Sequence, residues 1–194
     1  MMRRILVAGT CLLLILLSVW QARCIALRHY LEADRQRAET ALRLTTGAMT
    51  GYLARYEVAP ELLAALDQVQ ALAADPDNPA RAAEINTMLT ERNAALQASD
   101  IYVIGRDGVT LAASNHDRPD SFVGQNFSYR PYFQDAISGR LARFYGIGTT
   151  SGLRGYYFSA PIRLGGDILG VVTVKIGLDA LEEIVVADLP RGIC

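Results

Sequence analysis

From Ile5 to Trp20 the chain carries no charged side chain, and nothing else in it constrains folding as strongly. At ~1.5 Å per residue a helix over this run reaches roughly 24 Å, a little short of the ~30 Å hydrocarbon core of a bilayer. Arg3, Arg4 and Arg23 flank it and can extend to the headgroups, and Trp20 suits the far interface. A cleaved signal peptide needs small residues at its exit, whereas this run leaves through Ser18-Val19-Trp20-Gln21-Ala22-Arg23-Cys24. The run therefore predicts an uncleaved single-pass anchor over residues 5–22, in contact with membrane lipid, with residues 1–4 cytoplasmic. Arginines lie on both sides, so the positive-inside count does not orient it. A very short leader and a large remainder favour N-in, with the domain outside. No second long uncharged stretch exists, which excludes a polytopic membrane protein.

Beyond the anchor the 194-residue chain has room for about one domain. Nineteen Lys and Arg against 20 Asp and Glu give a net charge of −1; a dedicated nucleic-acid binder carries a basic excess, so that class is excluded. A hydrophobic content of 51% excludes low-complexity disorder. Of the three cysteines, Cys11 lies in the apolar run, Cys24 beside it and Cys194 at the end, so the domain holds no pair for an internal disulfide.

From Ile25 to about Tyr56 proline is absent, and Leu27, Leu31, Ala38, Leu42, Thr45, Met49, Tyr52 and Tyr56 recur at helical spacing. This predicts a long helix whose first half is free to pair with a second copy, giving a homodimer, and whose second half packs on its own domain. Val58-Ala59-Pro60 breaks it, and Pro60 starts a helix over Glu61–Ala73. Asn78 and Pro79 open another to about Ala98. The period then changes to two. Ile101–Ile104 and Val109–Ala113 flank the turn Gly105-Arg106-Asp107-Gly108, a hairpin pattern, and the polar loop Ser114–Ser121 follows. Tyr132–Ser138 reads as a short helix closed by Gly139. Leu141–Gly148, Gly155–Ile162 and Ile168–Ile176 read as strands, and Asp179 with Glu182 forms a capping box for a last helix. The predicted fold is α+β: a transmembrane helix running into a helical stalk with packing helices (residues 23–98), a sheet domain with five antiparallel strands (99–187) and a tail (188–194).

The sheet half supplies Arg130, Arg154 and Lys175 and many hydroxyls, but few acids. Lys175 sits in the most apolar strand, where an ammonium without a partner is costly. No acid lies beside it in sequence, so a bound carboxylate is an attractive partner. Strand period places Tyr157 with Ser159 on one face and Tyr156 with Phe158 on the other, and Thr173 with Lys175 on one side. Blander readings stand beside these: Arg130 before Pro131 capping backbone carbonyls, Tyr132 and Phe133 as core aromatics, Lys175 snorkelling at a strand end, Arg154 as a solvated charge.

The segments Val123-Gly124-Gln125-Asn126-Phe127-Ser128-Tyr129-Arg130-Pro131-Tyr132-Phe133, Gly146-Ile147-Gly148-Thr149-Thr150-Ser151-Gly152, Arg154–Pro161 and Gly170–Ile176 resemble the periplasmic Cache (PAS-like) domains of bacterial transmembrane receptors. The Arg-Pro-Tyr-Phe element, the Thr-Thr-Ser-Gly loop and the Val-Lys-Ile end are most similar to the C4-dicarboxylate sensor histidine kinases. The resemblance implies a pocket for a small carboxylate of the succinate, fumarate or malate type. Its residues would be Arg130, Tyr132, Thr149, Ser151, Tyr157, Ser159 and Lys175. In amino-acid-binding relatives the position of Lys175 is typically acidic and holds an amine; a lysine suits a second carboxylate. The resemblance also implies a bacterial inner membrane, with the sensor domain in the periplasm.

No catalytic, cofactor or metal constellation is legible. His29 and His116 are far apart without ligand spacing, and neither a phosphoaccepting histidine context nor a nucleotide-cradling glycine motif is present. The expectation is the input part of a two-component sensor, shortened before its kinase. A chemoreceptor or other receptor with the same outer domain is one alternative, and a dimerisation or interaction fragment is another.

Overall fold

Proline, glycine and the change of hydrophobic period divide the chain close to the expected points. The computed structural model describes residues 2–177, and of these all side chains except those of residues 2–16, 24, 33 and 48. Helix α1 spans Met2–Glu57. It ends at Val58, and α2 covers Ala59–Ala64, with a proline in its first turn. One helix was expected here, but Leu66 is extended (ψ 129°), and a separate α3 runs over Asp67–Ala74. Helical propensity is continuous across Ala64–Asp67; packing overrides it, because Leu66 lies against the apolar core. Helix α4, Pro79–Leu96, is capped as expected, the Asn78 side chain accepting from the Arg81 amide. It ends at Gln97 in the left-handed region (φ 56°).

Five strands follow: β1 Asp100–Gly105, β2 Thr110–Ala113, β3 Ala142–Ile147, β4 Arg154–Leu164 and β5 Asp167–Gly177. Helix α5, Pro131–Ile137, precedes β3. All pairings are antiparallel and the sheet order is β2-β1-β5-β4-β3. The predicted five-stranded antiparallel sheet is therefore present, each strand within two residues of its expected ends. The β1–β2 turn uses Gly108 at φ +88°, where a Cβ would also strike the Ser128 backbone, so no other residue fits.

The chain divides into two compact units between Gly47 and Ala48. In the first, Leu27, Leu31 and Leu42 of the α1 stripe are exposed. In the second, Tyr52 and Tyr56 pack on the core, Tyr56 fully buried. Among the described residues no helix is long and apolar enough to cross a membrane; the anchor expected over 5–22 falls mostly on residues whose side chains lie outside the described set. The last helix at Asp179 and the tail 188–194 also lie outside it.

Period two assigns the sheet's faces. Ile101, Val103, Phe158, Ala160, Ile162, Val172, Val174 and Ile176 face a core shared with Leu63, Val69, Leu72, Ile85 and Leu89 of α2–α4. Tyr102, Ile104, Tyr157 and Val171 face a second core with Phe122, Phe127 and α5 residues Tyr132, Phe133 and Ala136. A sheet covered on both sides explains why β1 is buried at every position. Asn115 holds the 114–122 loop, donating to the Asp120 carbonyl and accepting from the Phe122 amide, which fixes Phe122 over the sheet.

Candidate functional site

The second face of the sheet ends in a small cavity lined by Tyr102, Phe122, Phe127, Arg130, Tyr132, Gly148, Thr149, Thr150, Ser151, Tyr157 and Lys175. Sheet register builds its floor. Asp100, Lys175, Tyr157 and Phe144 form one cross-strand row; Tyr102, Thr173, Ser159 and Ala142 form the next. Arg130 enters from the N-cap of α5, and the 148–153 loop after β3 forms the remaining wall.

Arg130 is buried. Its guanidinium sits over three rings, 5.4 Å from the centroid of Tyr132, 5.3 Å from Phe144 and 5.5 Å from Tyr157. It also donates to the Ile147 carbonyl at 3.0 Å. Arg130 thus binds a backbone carbonyl at the end of β3 rather than at the helix entry, and it fronts the cavity. Tyr132 and Tyr157 stack with centroids 4.9 Å apart and planes 7° apart, and the Tyr102 hydroxyl donates to that of Tyr132 at 2.9 Å.

Lys175 is buried, and its ammonium donates to Ser151 Oγ at 3.0 Å and lies 5.4 Å from the Phe122 ring centroid. No acid lies beside it in sequence, but one does in the fold. Asp100 lies opposite it across the β1–β5 pair, with Oδ2 3.6 Å from Nζ. Asp100 is distant in sequence, and only antiparallel pairing brings it there. The other carboxylate oxygen is held by Arg118, from the loop after β2.

Tyr157, rather than Tyr156, faces the cavity; Tyr156 packs against the helix-side core. The Tyr157 hydroxyl is buried and has no hydrogen-bond partner among the described residues. Thr149 lines the wall, its Oγ1 accepting from the exposed Tyr129 hydroxyl at 2.8 Å. Ser159 is absent from the lining, and its buried hydroxyl is paired with that of Thr173 at 2.9 Å, one cross-strand row from Tyr157 and Lys175. Of the seven expected residues, Arg130, Tyr132, Thr149, Ser151, Tyr157 and Lys175 come together and Ser159 does not. Tyr102, Phe122, Phe127, Asp100 and Arg118 were missed; they come from β1 and the segment after β2, far in sequence from Tyr157 and Lys175, and the pairing of β1 with β5 brings them to the cavity.

Burial pushes the phenols up. Tyr132 is raised to about 12 against the Tyr102 hydrogen bond and the Arg130 charge. Tyr102 is raised well above its ordinary value by burial and the neighbouring Tyr132. Tyr157 is raised by burial despite Arg130. All three remain neutral hydroxyls near pH 7, so the charges at the cavity are those of Arg130 and Lys175, with Asp100 behind. Two cations, uncharged hydroxyls and aromatic walls suit an anion with an apolar middle. Among the described residues no cluster of His, Cys, Asp or Glu could hold a metal ion.

A five-stranded antiparallel sheet with helices on one face and a cation-bearing aromatic cavity on the other defines a PAS-like sensor domain. No protein-family model matches the chain. It is 37% identical over 166 residues to the C4-dicarboxylate transport sensor protein DctB of Pseudomonas aeruginosa, covering 86% of this chain and 27% of that protein. It is 31% identical over 150 residues to the protein of the same name from Rhizobium meliloti, covering 77% of this chain and 24% of that one. Its fold matches the solved sensor domain of the V. cholerae histidine kinase DctB with a TM-score of 0.76 and 34% identity, over 78% of this chain and 59% of that one. The chain carries a Cache-type, PAS-like sensor region related to those of the C4-dicarboxylate transport sensor proteins. It spans about a quarter of the length of the curated relatives it matches.

Proposed function

We propose that the domain is the extracytoplasmic input module of a two-component sensor and binds a small dicarboxylate, one carboxylate on Arg130 and the other on Lys175. One observation carries the reading: two buried cations front one cavity, and Tyr157, a neighbour of both, offers it a buried hydroxyl without a partner. An unpaired buried hydroxyl costs stability unless something completes it. Thr149, Ser151 and Tyr132 supply further hydroxyls. The names of the curated relatives, sensors in C4-dicarboxylate transport, support four-carbon diacids as the ligands.

The cavity measures about 10 Å³, room for about one water, whereas small-molecule pockets run from roughly 300 Å³. A diacid therefore enters only when the 148–153 loop moves outward and Ser151 releases Lys175. Ligand binding becomes a choice between two loop positions, the kind of local change that a sensor passes on. In this reading residues 5–22 anchor the chain in the inner membrane, the domain lies in the periplasm, α1 pairs with a second copy, and the output is a histidine kinase.

Thermal melting of the full chain in detergent, with succinate, fumarate, malate and a panel of amino acids, tests the reading. The expected result is a higher melting temperature with the diacids. A shift with amino acids and none with any diacid overturns it.

A further inference from the structure

Arg118 lies outside the cavity, on the polar loop after β2, and its side chain is 47% exposed. It nevertheless reaches the buried carboxylate of Asp100, engaging Oδ1, while Oδ2 faces Lys175 at 3.6 Å. Arg118, Asp100 and Lys175 thus form a charged chain leading from solvent to the cavity. Asp120 lies on the guanidinium's other edge, 3.6 Å from Nε and 48% exposed.

The signs of these charges matter. Asp100 by itself cancels Lys175 and leaves Arg130 as the sole net charge facing a ligand. Arg118 offsets Asp100 and returns the Lys175 charge to the cavity. A dianion feels this difference more strongly than a monoanion held at Arg130, because only the dianion places a carboxylate on Lys175. Arg118 also holds one oxygen of Asp100, which fixes the direction from which the other pulls on the ammonium.

We propose that Arg118 is a specificity-determining residue acting through Asp100: it keeps Lys175 available to a ligand carboxylate and makes the site favour dianions over monoanions. The inference rests on the dicarboxylate reading above.

Calorimetric titration of the full chain in detergent, with succinate and with butyrate, tests it on the unmutated protein, Arg118→Gln and Arg118→Lys. Expected at low salt is a loss of about fivefold in succinate affinity for Arg118→Gln, with butyrate changed by less than about twofold. The succinate loss should shrink at ~0.5 M salt, since a half-exposed charge is screened. Arg118→Lys should keep most of the affinity, which a merely structural contact of the guanidinium would not allow. Where butyrate binds too weakly to measure, the Gln and Lys variants are compared on succinate and its salt dependence. Equal loss for both acids, no loss, or a Lys variant no better than Gln overturns the inference and leaves the diacid reading standing. Where the unmutated chain binds fumarate or malate in place of succinate, that diacid replaces it in the titrations; failure to bind any of the three removes both readings.

Discussion

The ammonium of Lys175 lies 3.6 Å from a carboxylate oxygen of Asp100, directly across the β1–β5 pair. This buried ion pair makes Lys175 tolerable without any ligand and at the same time draws on the charge that a ligand would use. It also shows why a lysine in an apolar strand is weaker evidence of binding than its sequence neighbourhood implies. What restores the argument is geometry: the ammonium reaches Ser151 and the cavity on one side and Asp100 on the other.

Replacing Lys175 by Ala is expected to weaken diacid binding by about 2–5 kcal/mol, the range for removing one partner of a buried charged contact. It should also lower stability by about 1–3 kcal/mol, because Asp100 loses one of its two cations. Calorimetry and urea denaturation read the two effects separately. Unchanged affinity would sink the role given to Lys175.

Burial raises the Asp100 carboxyl above its ordinary value of 3.8, and the charges of Lys175 and Arg118 only partly oppose the rise. The native state therefore holds this proton more tightly than the unfolded chain. Unfolding free energy should fall as pH rises from 3.8 through the native value, and the contribution should be constant above it. Asp100→Asn removes the titration. Denaturation curves across acidic pH should show the unmutated protein losing stability relative to the variant over that interval. A relative gain would contradict the assignment.

Tyr157→Phe removes a buried hydroxyl that has no partner. The ligand-free domain should be as stable or up to about 1 kcal/mol more stable, while diacid affinity falls by about 0.5–1.5 kcal/mol. Opposite signs on melting and on binding are the signature; a stability loss with unchanged binding would make the hydroxyl structural.

Ser159 and Thr173 pair their hydroxyls inside the sheet, one row from Tyr157 and Lys175. Ser159→Ala alone should cost about 1–3 kcal/mol by leaving Thr173 without its partner, and the double change Ser159→Ala with Thr173→Val should recover most of it. Diacid affinity should be the same in both variants. A selective loss of binding in Ser159→Ala would return Ser159 to the site.

Features that depend on near neighbours in the chain were legible at once. The Asn78 cap, the Gly108 turn, the Gly139 helix end and the five strands follow from backbone preferences over a few residues. The break between α2 and α3 was not, because nothing local disfavours helix at Leu66; its place in the core decides the matter. Six of the candidate residues were readable because Arg130 and Tyr132 open one helix, Thr149 and Ser151 share one loop, and Tyr157 and Lys175 lie on adjacent strands. Ser159 shares a strand face with Tyr157, and alternation alone could not separate them.

The uncharged run from Ile5 to Trp20, the change of hydrophobic period near residue 100, and the charges and hydroxyls of the sheet half can all be read along the chain. Their partners come from the fold. Asp100 meets Lys175 because antiparallel register brings together residues far apart in the chain, and Arg118 reaches Asp100 from the loop after β2. Strand periodicity reports which side of a sheet a residue faces. The row in which it sits depends on all the strands pairing at once, and no single segment carries that information.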